Sequence, residues 1–73
     1  MGNKIIEIIA EILKLDVDAL MIRFDDKTVW DSMQRVEIFF AIEDEFDMQF
    51  NEKELAILAT PKKLYEFVLE RTE

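Results

Sequence analysis

Residues 31–46 read DSMQRVEIFFAIEDEF, and this stretch decides the fold of the 73-residue chain. At about 100° per residue, a helix over the stretch collects one set of apolar side chains on a single face. The members of this core face are Ile38, Phe39, Ile42 and Phe46. Asp31 is a favourable N-cap, because a carboxylate accepts hydrogen bonds from the free backbone N–H groups of the first turn. The stretch therefore predicts a helix from Ser32 to about Phe46.

The same helix carries a second apolar stripe, separate from the core face, which consists of Met33, Val36 and Phe40. Acidic residues flank the stripe, with Glu37 and Asp44 on one side and Glu43 on the other. A small domain covers only one face of a helix completely, so we expect the stripe to be at least partly exposed. An exposed apolar stripe with an acidic rim is typical of a docking surface. The alternative is that Phe40 belongs to the core.

Two segments of different character precede this helix. The first, residues 4–15, places four isoleucines at helical spacing, and these are Ile5, Ile8, Ile9 and Ile12. That spacing predicts an N-terminal helix over residues 4–15. The second, residues 16–31, is irregular and rich in aspartate. It has room for one helical turn around residues 17–21, because a loop of this length in a small domain usually holds some structure.

Two capping patterns define the C-terminal half of the chain. Asn51, with Glu54 three residues later, resembles a capping box and predicts a short helix that ends near Leu58. Thr60 followed by Pro61 predicts the start of the last helix, because proline is well tolerated at the first helical position. The predicted fold is all-α, a small four-helix bundle with three main helices and a short third helix. We expect a single domain over residues 1–73.

Composition excludes several function classes. The chain has no cysteine and no histidine, so disulfides and His/Cys zinc sites are excluded, and a reducing, cytoplasmic location fits. The net charge of −8 repels nucleic acid and anionic lipid and attracts basic partners. The apolar runs are too short to insert into a membrane, and no signal peptide is recognisable.

Ser32 is the only serine of the chain. Ser-His-Asp catalysis is excluded because no histidine can take the proton. A Ser–Lys pair with Lys27 or Lys62 stays formally open, although a chain this short has little room for a substrate cleft. A phosphodiester on Ser32 would lie at a helix start, where the backbone favours negative charge. Apart from the Ser–Lys pair, two interpretations of Ser32 remain: it is a modification site or only a helix-start residue.

Calcium binding is the remaining alternative, and it rests on the aspartates of residues 16–31. These are Asp16, Asp18, Asp25 and Asp26. They lack both the ligand spacing and the central glycine of an EF-hand loop. We therefore expect no metal site, and we expect these residues to act in turns and caps.

The sequence of residues 31–46 resembles that of the acyl carrier proteins. The likeness lies in the motif Asp31-Ser32-Met33, in Val-Glu-Ile at 36–38 and in Ala-Ile-Glu-Asp-Glu-Phe at 41–46. The hallmark of that family is Asp-Ser-Leu at the start of an acidic helix that ends in a Glu-Glu-Phe-like stretch. The likeness continues through Phe50 and the helix that starts after Thr60, so it covers most of the chain. The resemblance implies a non-catalytic carrier whose Ser32 holds a 4'-phosphopantetheine arm derived from coenzyme A. The arm ends in a thiol that holds acyl or aminoacyl groups as thioesters.

The resemblance also implies partners and roles for individual residues. Asp31 and Met33 are expected to help a phosphopantetheinyl transferase recognise Ser32. The expected docking residues for partner enzymes are Val36, Glu37, Phe40, Glu43 and Asp44. Implied partners are an acyl- or aminoacyl-loading ligase and acyltransferase or synthase enzymes with basic docking patches, as in fatty acid or polyketide biosynthesis. A cytoplasmic monomer is expected.

Two departures from the family pattern indicate which type of carrier the chain resembles. Met33 replaces the usual leucine, and Trp30 stands where carriers of fatty acid synthesis usually have a small residue, so the chain looks more like free-standing carriers of specialised pathways. Arg35 falls near the core face and is expected to reach past the helix end or to pair with Asp31. Two alternatives stay open: an aminoacyl carrier of the D-alanyl type, and an acidic helical adaptor that is never modified.

Large aromatic side chains are predicted to fill the interior. They are Phe39, Phe46 and Phe67, with Phe24 and Phe50 as further candidates. Because close-packed interiors have no spare volume, we expect short or polar cargo rather than a deeply buried long chain.

Overall fold

The computed structural model describes residues 2–72, which form five helices. These are α1 (Gly2–Leu13), α2 (Val17–Ile22), α3 (Ser32–Phe46), α4 (Glu52–Ile57) and α5 (Pro61–Thr72). The all-α, acyl-carrier-like prediction is confirmed, and the predicted bounds of α3 are correct. The helix count of four is corrected to five, because the turn expected near residues 17–21 is a complete short helix.

The predicted bounds of the N-terminal helix, residues 4–15, were wrong by two residues at each end, whereas the predicted end of the short helix near Leu58 was correct. The N-terminal helix ends at Leu13 instead of residue 15, because Lys14 adopts a left-handed backbone conformation with φ 58°. The short helix α4 ends at Ile57, and Leu58 serves as its C-cap. The error at the C-terminal end of α1 concerns the last turn, where backbone geometry rather than side-chain spacing decides the helix end.

Helices α3 and α4 both begin with a reciprocal capping box. The Asp31 carboxylate accepts the Gln34 backbone N–H at 2.8 Å, and the Gln34 side chain accepts the Asp31 N–H at 3.0 Å. Asn51 and Glu54 make the same pair of bonds at 2.8 and 2.9 Å. The predicted caps at Asp31 and Asn51 are thus confirmed. Each box occupies backbone donors that the first turn leaves free.

The segment between α2 and α3 is anchored to the start of α5. The Thr60 hydroxyl caps α5 by accepting the Lys63 N–H at 3.2 Å, and it donates to the Asp25 carboxylate at 3.0 Å. The Lys62 N–H donates to the Phe24 carbonyl at 2.8 Å. These bonds fix the loop that leads into Ser32, so the start of α3 has a defined position.

Asp26 organises the rest of this loop. Its carboxylate accepts the Thr28 hydroxyl at 2.6 Å, the Thr28 N–H at 2.8 Å and the Arg23 Nε–H at 3.1 Å. These donors, with the Thr28 hydroxyl contributing most, lower the pKa of Asp26 to about 2. The carboxylate is therefore ionised at neutral pH, and its bonds stabilise the loop until the pH falls toward that value.

The core lies between α1, α3 and α5, and α2 closes one side with Leu20. Its fully buried side chains include Ile5, Ile9, Leu20, Ile38, Ile42, Leu64 and Val68. Phe39 is also buried, with 3% of its surface exposed. Phe46 does not join them as predicted: it is the last residue of α3 and only partly buried, although it packs against the core.

Candidate functional site

Ser32 is the first residue of α3 and its side chain is exposed. It lies between two grooves, which share Ser32 as a lining residue. The polar groove has a volume of about 350 Å³ and is lined by Lys27, Trp30, Asp31, Ser32, Arg35 and Ala59. The apolar groove has a volume of about 370 Å³ and is lined by Ser32, Met33, Val36, Glu37 and Phe40.

The apolar groove coincides with the predicted second stripe of α3. Met33 is 76% exposed, Phe40 is 65% exposed and Val36 is also exposed. Phe40 is therefore not a core residue, whereas its neighbour Phe39 is buried. Helix α3 thus presents a contiguous apolar face to solvent beside Ser32.

The acidic residues around the apolar groove are not equivalent. Glu37 and Asp44 are exposed. Glu43 is only partly exposed, and its carboxylate accepts the Phe50 backbone N–H at 2.8 Å. Glu43 therefore holds the loop that follows α3. This contact differs from the freely exposed position that a docking residue was expected to have.

Two hydrogen bonds to backbone carbonyls fix the walls of the polar groove. The Trp30 indole Nε1–H donates to the Ala59 carbonyl at 3.1 Å. Arg35 Nη2–H donates to the Leu55 carbonyl at 3.1 Å, near the C-terminal end of α4, where carbonyls lack helical partners. The expected pairing of Arg35 with Asp31 was wrong, because the guanidinium instead reaches across to α4.

Contacts with the Phe39 ring also support Arg35 and Trp30, the two side chains that form the walls of the polar groove. The Arg35 guanidinium carbon lies 5.5 Å from the centre of the Phe39 ring. The Trp30 and Phe39 rings meet edge to face, with their centres 6.2 Å apart. Sequence reasoning gave Trp30 no role in the site and expected a different contact for Arg35. It considered Lys27 only as a catalytic partner of Ser32 and did not connect Ala59 with Ser32. The one available signal was the indole N–H of a tryptophan next to the motif, which requires a hydrogen-bond partner when buried.

Three of the four aspartates considered as calcium ligands act in caps and turns, as expected: Asp16, Asp25 and Asp26. Asp16 caps α2 by accepting the Ala19 N–H at 2.7 Å, and Asp25 and Asp26 accept bonds from threonine donors. Over residues 2–72, no three histidine, cysteine or acidic side chains are grouped so as to hold a metal ion. None of the helices described over that range has the length and apolar character that a bilayer crossing requires.

A family model described as "Phosphopantetheine attachment site" matches residues 3–68. The chain belongs to this family. No curated protein and no solved structure gave a significant match. The family assignment confirms the resemblance seen in the sequence: the chain is a carrier of 4'-phosphopantetheine and not a catalyst. Carriers of this kind interact with phosphopantetheinyl transferases and with synthase or acyltransferase enzymes.

The residues at the start of α3 fit this group. The arm is joined to a hydroxyl through a phosphodiester, and Ser32 offers an exposed hydroxyl in a position where the helix start favours negative charge. Two cationic side chains, Lys27 and Arg35, line the groove beside it. When attached, the group supplies the thiol that this cysteine-free chain lacks.

Proposed function

We propose that this protein is an acyl carrier whose Ser32 bears the phosphopantetheine arm and whose acyl thioesters are delivered to partner enzymes. The observation that carries the proposal is the position of Ser32, the only serine of the chain, exposed at the start of α3 within the family match. We further propose that the chain acts as a single carrier domain and as a monomer. We also propose a cytoplasmic location, with which the lack of cysteine is compatible.

Loading of the protein tests this proposal directly. The purified chain is incubated with coenzyme A and a broad-specificity phosphopantetheinyl transferase, and its intact mass is measured. We expect the mass to increase by one phosphopantetheine group, and the new thiol to accept acyl groups from an acyl-loading ligase. An unchanged mass with several transferases would favour the unmodified acidic adaptor instead.

Docking of partner enzymes is proposed to use the apolar groove and its acidic rim. Asp31 and Met33 lie beside Ser32 and are proposed to guide the transferase, while Val36 and Phe40 supply apolar contact area. Glu37 and Asp44 are exposed carboxylates on one side of this groove. Enzymes with basic patches fit such a surface, because opposite charges speed encounter and fix orientation.

Charge reversal at the rim is expected to slow acyl transfer to a partner enzyme. Replacing both Glu37→Lys and Asp44→Lys should lower the transfer rate about tenfold or more at low salt, the lower range of electrostatic steering. Glu43 is left intact because its carboxylate holds the Phe50 N–H. Transfer rates are measured across a salt series, since screening acts over about 8–10 Å at ordinary ionic strength.

A matched control separates local docking from overall charge. The pair Glu7→Lys and Glu11→Lys changes net charge equally, but it alters exposed positions on α1. This control should transfer at nearly the rate of the unmodified sequence. The same loss in both double variants, or a wild-type rate that ignores salt, contradicts docking through the rim of α3.

Cargo is proposed to be short or polar, because a series of packed rings limits the space inside the bundle. Phe39 is buried, whereas Phe50 and Phe67 are partly buried against the core and not fully interior as predicted. The centres of Phe39 and Phe50 are 5.2 Å apart, and those of Phe50 and Phe67 are 5.7 Å apart. Helix α4, which has no fully buried residue, is held over this region by Arg35 and by an ion pair between Arg71 and Glu54. The same observation favours aminoacyl cargo as the second candidate, since a small polar group needs no interior space.

A long acyl chain is therefore expected to stay outside the helical bundle. NMR spectra of the holo form and of a long-chain acyl form should differ little at Ile42, Phe46 and Leu64. Phe50→Ala is the matched variant: removing this ring opens space beside Phe39 and Phe67, so larger shifts are expected there with the same acyl chain. Large interior shifts in the unmodified sequence would show that the chain enters, and would contradict the proposal.

A further inference from the structure

The arm on Ser32 has two grooves beside its attachment point, and their chemistry differs. The polar groove contains two cationic side chains, Lys27 and Arg35, together with the carboxylate of Asp31. The apolar groove contains one charged side chain, the carboxylate of Glu37. A phosphodiester is an anion, so it is attracted to the first groove and repelled by the rim of the second.

Asp31 is the one anion of the polar groove, and its carboxylate is already engaged. It accepts the Gln34 N–H as the N-cap of α3. Arg35 is held by its bond to the Leu55 carbonyl. Lys27, by contrast, is exposed and takes part in no ion pair within residues 2–72. Lys27 is therefore the less constrained of the two cations in this groove, whereas Arg35 keeps its charge and further N–H donors but is fixed in place by its bond to α4.

The polar groove is also formed in advance of any ligand. Trp30 and Arg35 are each tied to a backbone carbonyl at or after the end of α4, and Trp30 also packs on Phe39. A groove with fixed walls binds at a lower entropic cost than one that must be ordered on binding. Its Trp30 and Ala59 lining offers apolar surface next to the cations, which matches a group that carries methyls and amides beside its phosphodiester.

We propose that the polar groove seats the phosphodiester and the adjoining dimethyl-bearing part of the arm, with Lys27 binding the phosphodiester. This inference rests on the proposed attachment at Ser32. It leaves the apolar groove free, so a partner enzyme can dock on α3 while the first part of the arm keeps a defined direction. The terminal thiol then leaves the protein surface on the side of Trp30 rather than across Phe40.

Contacts of the arm in the isotope-labelled holo protein test the proposal without any measure of activity. Intact mass first confirms that one arm is attached, so failure of loading is recognised separately from failure of the groove. Nuclear Overhauser effects are then measured from the geminal methyl groups of the arm. We expect them to reach the Trp30 indole and the Ala59 methyl group, and not Met33 or Phe40. The phosphorus resonance of the phosphodiester is recorded on the same sample.

Lys27→Gln is expected to weaken the contacts with Trp30 severalfold and to shift the phosphorus resonance. Lys27 is an exposed loop residue, so this variant should fold normally. Lys62→Gln removes an equal charge from an exposed position on α5 that does not line the groove, and it should change neither signal. Contacts with Met33 or Phe40, contacts with neither groove, or contacts that Lys27→Gln leaves unchanged would overturn the proposal.

Discussion

Ser32→Ala is expected to abolish loading with phosphopantetheine completely while the protein stays folded. The attacking hydroxyl is lost, and no second serine is present to replace it. The start of α3 should survive, because Asp31 and Gln34 make the capping bonds. Intact mass after incubation with coenzyme A and a transferase measures loading. Circular dichroism and a thermal melt measure the fold.

Thr28→Val is the matched control for this experiment. Thr28 carries the hydroxyl nearest to Ser32 in the sequence and lies in the same loop that leads into α3. Its removal should weaken the bonds to Asp26 but leave loading complete. If Ser32→Ala still gains the mass of one arm, the attachment residue is another one and the proposed site is wrong. If Ser32→Ala unfolds, the Ser32 hydroxyl is needed to stabilise the start of α3, a role that the capping hydrogen bonds assign to Asp31.

The parts of this site that sequence reasoning predicted are those that depend on local spacing. The Asp31 cap, the start of α3 at Ser32 and the exposed stripe with Phe40 follow from residues within a few turns of one helix. These features join residues that are close in the sequence, so the spacing of residue types along the chain predicts them. This is why the bounds of the longest helix were predicted correctly.

The parts that were missed depend on residues distant in the chain. Trp30 reaches Ala59 across 29 positions, and Arg35 reaches Leu55 across 20 positions. Neither partner is a side chain that could be singled out, because both bonds end on backbone carbonyls. Glu43 was assigned to the surface for the same reason: its partner is the backbone N–H of Phe50. The polar groove, which these contacts build, was therefore visible only in the folded chain.

Phe39→Ala is expected to destabilise the fold by about 3–5 kcal/mol, the range for removing a buried phenylalanine. Phe39 is 3% exposed, and its ring contacts Trp30, Phe50 and the Arg35 guanidinium. Domains have a free energy of unfolding of only about 5–15 kcal/mol, so Phe39→Ala would remove much of the stability of this small domain. The change in the free energy of unfolding is measured by urea unfolding, with the same m-value used for the variant and the unmodified sequence.

Phe40→Ala is the matched control, because it makes the same chemical change at the next residue of the same helix. Phe40 is 65% exposed, so loss of its ring should change the free energy of unfolding by only about 0.5 kcal/mol. Phe46→Ala should fall between the two, since Phe46 is partly buried at the end of α3 and does not have the central position predicted for it. Equal losses for Phe39→Ala and Phe40→Ala would place both rings in the core. The apolar groove would then not exist as an exposed surface, and docking of partner enzymes on this face of α3 would lose its physical basis.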